Sequence, residues 1–203
     1  MRTIRTVAIV VAALAAAFAI GRLSAQNVQP SCLNCSATYV PARELAEYEA
    51  VSRAANITDQ QVRSVNVGKT NVQIALVHRG KLDASAARSV AEHDLVSEVY
   101  YVVSGSGTNR TGPDIVDAQR RPADDRAVRT LNGPGSNGTD IRNAATQELK
   151  AGDVLVIPAG TGHQFTKIDD QITYVMIRID PDKVVPLMDE AASRAYLQQN
   201  RPR

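Results

Sequence analysis

Between Asn71 and Asp180 the chain is dominated by short runs rich in Val, Ile and Tyr, each stopped by glycine, proline or aspartate: "NVQIALVHRG", "SEVYYVVSGSG", "DVLVIPAGTG" and "QITYVMIRID". In the first, Val72, Ile74, Leu76 and His78 share one face, while Asn71, Gln73, Ala75, Val77 and Arg79 share the other. "QQVRSVNVG" adds an imperfect alternation through Val62, Val65 and Val67. Runs of this length and period are strands, and a chain of many short strands divided by turns closes into an antiparallel sandwich or barrel.

Helical spacing is confined to the flanks. "PARELAEYEAVSRAA", Pro41 to Ala55, opens on proline and places Leu45, Tyr48 and Val51 on one face. A second helix is expected from about Val185 to Gln198. The expected organisation is a leader and helix over 26–60, a barrel over 61–182 and a C-terminal helix within 183–203. Between about Ser106 and Ala144 the sequence turns glycine-, proline- and arginine-rich with no sustained period, which reads as a long loop. Arg120, Arg121, Arg126 and Arg129 within it are expected on a solvated face.

The first 25 residues carry Arg2, Arg5 and Arg22, no acidic residue, and a 14-residue apolar run from Val7 to Ile20. This is the pattern of a secretory signal, and the run is shorter than the ~20 residues that span a bilayer. The expectation is therefore an exported protein, periplasmic or secreted, with no membrane attachment after cleavage; an uncleaved anchor is the alternative. Without those three arginines the 23 basic residues become 20 against 21 acidic ones. A near-neutral body without a basic stripe gives no footprint for nucleic acid. The two cysteines, Cys32 and Cys35, lie C-x-x-C apart behind the apolar run, and in an oxidising compartment their simplest fate is a local disulfide.

The chemistry-bearing residues fall at strand ends. His93 precedes Glu98 by four intervening residues, and six more separate Glu98 from Gly105. Further on stand Gly152, then after five residues Pro158, Ala159, Gly160 and, after two more, His163. These two halves resemble, in order and spacing, the paired motifs of the cupin superfamily, G-x5-H-x-H-x(3,4)-E-x6-G and G-x5-P-x-G-x2-H-x3-N, over roughly Val65 to Asp180. The resemblance implies an all-β, cupin-type double-stranded β-helix (jelly-roll) barrel, with the short helices at its two ends. It also implies one divalent metal inside the barrel (Fe, Mn, Ni, Co, Cu or Zn), a small-molecule ligand or substrate, and pairing of two copies as a homodimer. The sequence departs from the pattern at Ala91, where the first histidine of the motif belongs, and at Lys167, where the asparagine belongs.

His93, Glu98 and His163 remain as metal ligands, a set with open coordination positions. His78 is the third histidine of the chain, and with its strand face expected inward it is the candidate to fill the place left by Ala91. Tyr100 shares the face of Glu98, which aims its hydroxyl at the site as a candidate catalytic group. Two functions are consistent with this set: a metal-dependent enzyme of the oxidoreductase or dioxygenase kind, and a non-enzymatic binding module with a structural or lost metal.

Overall fold

The computed structural model of the chain describes residues 28–85 and 89–200. The signal-peptide reading falls outside them. The chain divides into two units, Met1–Asn34 and Cys35–Arg203. Cys32 and Cys35 are disulfide-bonded, as their spacing predicts. All that follows concerns the second unit. No helix among the described residues is long and apolar enough to cross a membrane.

Helix α1 (Ala42–Ala55) begins after Pro41 and ends at Asn56, whose φ of 52° takes the left-handed conformation that closes many helices. The strands follow: β1 (Asp59–Asn66), β2 (Asn71–Arg79), β3 (Val90–His93), β4 (Ser97–Gly112), β5 (Asp114–Val116), β6 (Gln119–Arg120), β7 (Gly135–Gly138), β8 (Asp140–Arg142), β9 (Ala145–Lys150), β10 (Val154–Ile157), β11 (Gly162–Lys167) and β12 (Ile172–Asp180). Helix α2 (Glu190–Asn200) closes the described chain. The strand pairings are antiparallel throughout and form two sheets. One runs β1-β2-β12-β4-β10 and the other β9-β4-β11-β3-β7-β6, with β4 common to both. A separate two-stranded ribbon joins β5 to β8.

Strand β4 crosses from one sheet to the other at Gly105. Residues up to Gly105 pair with β12, and those from Ser106 pair with β9. Gly105 has φ +75°, and a Cβ there would lie 1.9 Å from the Gln171 carbonyl oxygen. The turn thus requires the one residue that has no side chain.

The barrel core lies between the sheets and includes Ala75, Val77, Tyr100, Val102, Phe165, Tyr174 and Met176. A second cluster, Tyr48, Val51, Val62, Leu76 and Leu197, sits where α1 and α2 cover the outside of β1 and β2. Arg63 fastens this cover: its guanidinium is 2.5 Å from Glu44 of α1 and 3.0 Å from Ser193 of α2.

Two sequence expectations are corrected here. The face of β2 that points into the barrel is that of Gln73, Ala75 and Val77, not that of Ile74, Leu76 and His78. Both faces carry apolar residues because one meets the barrel and the other the helices, so alternation does not reveal which is inside. The segment expected as a loop from 106 to 144 also holds five strands or parts of strands: the end of β4, then β5, β6, β7 and β8. Its polar residues sit in ladders whose backbone groups are paired, which needs no apolar period.

Gly105→Ala combines left-handed strain with a backbone clash. A loss of about 3 kcal/mol is expected, read as a lowered urea midpoint with the slope unchanged.

Candidate metal centre

Three strands bring the ligands together. His93 ends β3, Glu98 opens β4 and His163 lies near the start of β11. β11 pairs with both β3 and β4, and this places the two imidazoles on either side of the carboxylate. One donor atom from each of the three residues lies within 4.8 Å of the others. Their exposures are 3%, 2% and 8%, so the cluster is screened from bulk water. Ala91 stands across the ladder from His163 and contributes no donor.

Glu98 is the hub. His93 Nε2 lies 3.2 Å from Oε1 and His163 Nε2 lies 3.5 Å from Oε2. The Tyr100 hydroxyl donates to Oε2 at 2.8 Å, and Arg178 Nε donates to Oε1 at 3.2 Å. Burial pushes the Glu98 carboxyl up, but His93, His163 and Arg178 outweigh it and hold it well below the usual carboxylate range. Burial, with Glu98 adding to it, raises the Tyr100 phenol well above its ordinary value. Tyr100 is therefore a hydrogen-bond donor that orients Glu98, and not a base.

His163 carries the test of metal fit. Its Nδ1 is 3.1 Å from the Thr161 carbonyl oxygen, an acceptor only, so Nδ1 bears the proton and donates. Burial pushes its pKa down to about 4, against the opposing pull of Glu98, so the ring is neutral at neutral pH. Nε2 then presents a lone pair to a carboxylate oxygen that is also a lone-pair donor. Two acceptors facing each other at 3.5 Å in a dry interior call for a cation between them. The Thr161 contact is also the outer hydrogen bond that commonly sets the tautomer of a metal-binding histidine. The donor set fits a divalent transition metal.

His93 is held differently. Arg121 Nη2 approaches its Nδ1 at 3.4 Å while donating to the Glu92 and Ser136 carbonyls at 2.5 and 3.0 Å. A guanidinium can only donate, which leaves the proton of His93 on Nε2, directed at Glu98. Ligation through Nε2 requires that proton to move and the long Arg121 contact to loosen.

His78, expected as the fourth ligand, is not brought to the site. Its Nδ1 is 2.8 Å from the Thr173 hydroxyl on the helix-covered side of β2, and it lines a cleft with Ser52 and Arg53. Being one position out of phase with Val77 and Arg79, it points away from the barrel. The place taken from Ala91 is filled by no histidine.

Sequence reasoning missed two arginines at the site, one buried and one half-buried. Arg178 is fully buried, pairs with both Glu98 and Asp59, and reaches Gln61 at 3.3 Å. The signal was present: it continues the inward face of Tyr174 and Met176, and a charge on a core face needs a partner. Arg121 was grouped with a solvated loop, yet it folds back beneath His93.

The two sheets sharing β4, with His93, Glu98 and His163 between them, form the double-stranded antiparallel barrel that the motif resemblance implies. Comparison with protein-family models and with curated proteins gave no match. Solved structures are similar in outline. A Bacillus halodurans protein is 14% identical, with 80% of this chain and 97% of that one covered at a TM-score of 0.40. A cupin protein from Bacteroides fragilis is 17% identical, covering 75% and 89%, at 0.35. An RmlC-like cupin family protein with a double-stranded β-helix fold, from Methanocaldococcus jannaschii, is 12% identical, covering 63% and 85%, at 0.34.

Between pH 6.5 and about 4 the unfolded chain accepts a proton that His163 refuses. The metal-free protein is expected to lose on the order of 3 kcal/mol as pH falls through that window. His78, also lowered by burial, pulls the same way. Urea melts at pH 7 and pH 4.5 check this, and His163→Asn should flatten most of the difference.

Proposed function

We propose that the protein holds one divalent transition metal (Fe, Mn, Ni, Co, Cu or Zn) on His93, Glu98 and His163 and uses it in an enzyme-catalysed reaction of a small molecule, of the oxidoreductase or dioxygenase kind. The observation that carries this reading is the neutral His163 lone pair facing the Glu98 carboxylate. His93, Glu98 and His163 would hold the metal, which when bound would supply Lewis-acid polarisation or dioxygen activation. The chain's own residues do the rest. Tyr100 and Arg178 fix the carboxylate, Thr161 fixes the His163 tautomer, and burial excludes water.

A second reading has its own support. Arg178 already neutralises Glu98, so the barrel is electrostatically tolerable without an ion, and a metal-free binding module is the alternative. Metal analysis of protein purified without chelator separates the two. One equivalent of metal is expected in the wild type and in His78→Ala, falling at least tenfold in His163→Ala and Glu98→Gln. A wild type folded and free of metal, even after incubation with each of the six ions, overturns the metal reading.

We place the protein in an exported compartment, on the N-terminal arginines and apolar run together with the Cys32–Cys35 disulfide. We also propose that it forms a homodimer through the outer face of β4 and β10. Tyr101, Val103, Val154 and Val156 are 50–61% exposed there, and β10, paired with β4 alone among the described strands, presents a free edge to a second copy of itself. Light scattering is expected to give twice the chain mass, and Val156→Glu to halve it; a wild type that is monomeric overturns the proposal.

A further inference from the structure

Arg79 is the one barrel-end arginine whose charge the described residues leave unanswered. Its guanidinium lies 5.3 Å from the centre of the Phe165 ring, and its Nε donates to the Tyr174 hydroxyl at 3.3 Å. Both partners are core residues, so the guanidinium of Arg79, the last residue of β2, turns back over the barrel core. It forms no ion pair among the described residues. Arg178, further along the same face, is paired with Glu98 and Asp59, and Asp59 is also the acidic group whose field reaches Arg79.

Arg79 is one of the residues that line a cleft of about 430 Å³ beside α1, within the range of small-molecule sites. Arg53, His78 and Lys81 line it beside Arg79, Leu82 and Ile168 supply apolar wall, and no aspartate or glutamate appears among its described lining residues. Arg53 is already held by Glu49 at 2.7 Å, and Lys81 stands 3.4 Å from Asp83. Arg79 has only a hydroxyl and a ring face. The Phe165 stack fixes the guanidinium plane, and a fixed planar fork is suited to a carboxylate held by two parallel hydrogen bonds.

The geometry points to an anion-binding site at Arg79, which takes a small carboxylate with an apolar body. Behind Arg79 the packed barrel core runs on toward Glu98. The Tyr174 ring lies 4.4 Å from that of Tyr100, whose hydroxyl is on Glu98, and Phe165 is two residues along the same strand face from His163. Arg79 thus binds the acid group of the ligand, and Leu82 and Ile168 of the cleft wall meet its apolar body. That this ligand is the substrate rests on the metal reading; that Arg79 binds a carboxylate does not.

The test is titration of the full chain with benzoate and its neutral isostere benzamide, followed by NMR or calorimetry. It uses the protein as isolated, after chelator treatment, and in the variants Arg79→Gln, Arg79→Lys and Glu98→Gln. Benzoate is expected to bind the chelated wild type and Glu98→Gln alike. Affinity should fall at least tenfold in Arg79→Gln and partly in Arg79→Lys, and benzamide should bind at least tenfold more weakly than benzoate. A thermal melt matching wild type confirms that Arg79→Gln is folded. The inference is overturned by wild-type benzoate affinity in Arg79→Gln, by equal binding of benzamide, by no binding to the wild type, or by binding that requires metal and is lost in Glu98→Gln. Arg79-dependent binding to protein that takes up no metal upholds the site and defeats the metal reading alone.

Discussion

One carboxylate sets the terms for the interior of this protein. Glu98 is 2% exposed in a barrel otherwise lined by Tyr, Met, Val and Phe, and an ionised carboxylate in such a place must be answered by positive charge or donors. Four side chains from four strands converge on it: His93 from β3, Tyr100 from β4, His163 from β11 and Arg178 from β12. Arg178 faces Glu98 across one ladder, but the two histidines reach it only when the second sheet is also in register, because β4 contributes to both. The fold and the site are therefore one constraint. The turn at Gly105 that lets β4 change sheets also places Glu98 and Tyr100 opposite β12 and β10.

The interior is graded in charge along the barrel. At the Glu98 level, two carboxylates share the single charge of Arg178, which leaves an excess of negative charge where the His163 lone pair faces Oε2. At the far end, Arg79 meets only a hydroxyl and an aromatic face. A cation at one level and an anion at the other would each complete what the protein leaves open. The same asymmetry appears outside, where helices cover β1 and β2 while the face of β4 and β10 stays bare and apolar.

Much of this could be read from the chain before folding. The two strand-ending motifs located His93, Glu98 and His163, and Gly105 and Gly160 take the positive φ that their turn positions suggest. What misled was β2. Its two faces are both apolar, one because it faces the barrel and one because α1 and α2 lie on it, so a period of two identifies the faces without saying which is inside. Choosing the wrong face promoted His78 to a ligand and left Arg79 unremarked. The segment 106–144 misled for the opposite reason, since paired edge strands need no apolar period at all.

The sequence by itself determined the all-β class and located the three candidate ligands, because these depend on local spacing and on residues few alternatives can replace. The tertiary structure alone decided which face of β2 is interior, that Arg178 shares Glu98 with the imidazoles, and that Arg121 folds beneath His93. Those outcomes depend on contacts between residues far apart in the chain, 80 positions for Glu98 and Arg178 and 28 for His93 and Arg121, or on a helix packed outside the sheet. No local pattern encodes such contacts, because burial is a property of the neighbours that the whole chain brings together.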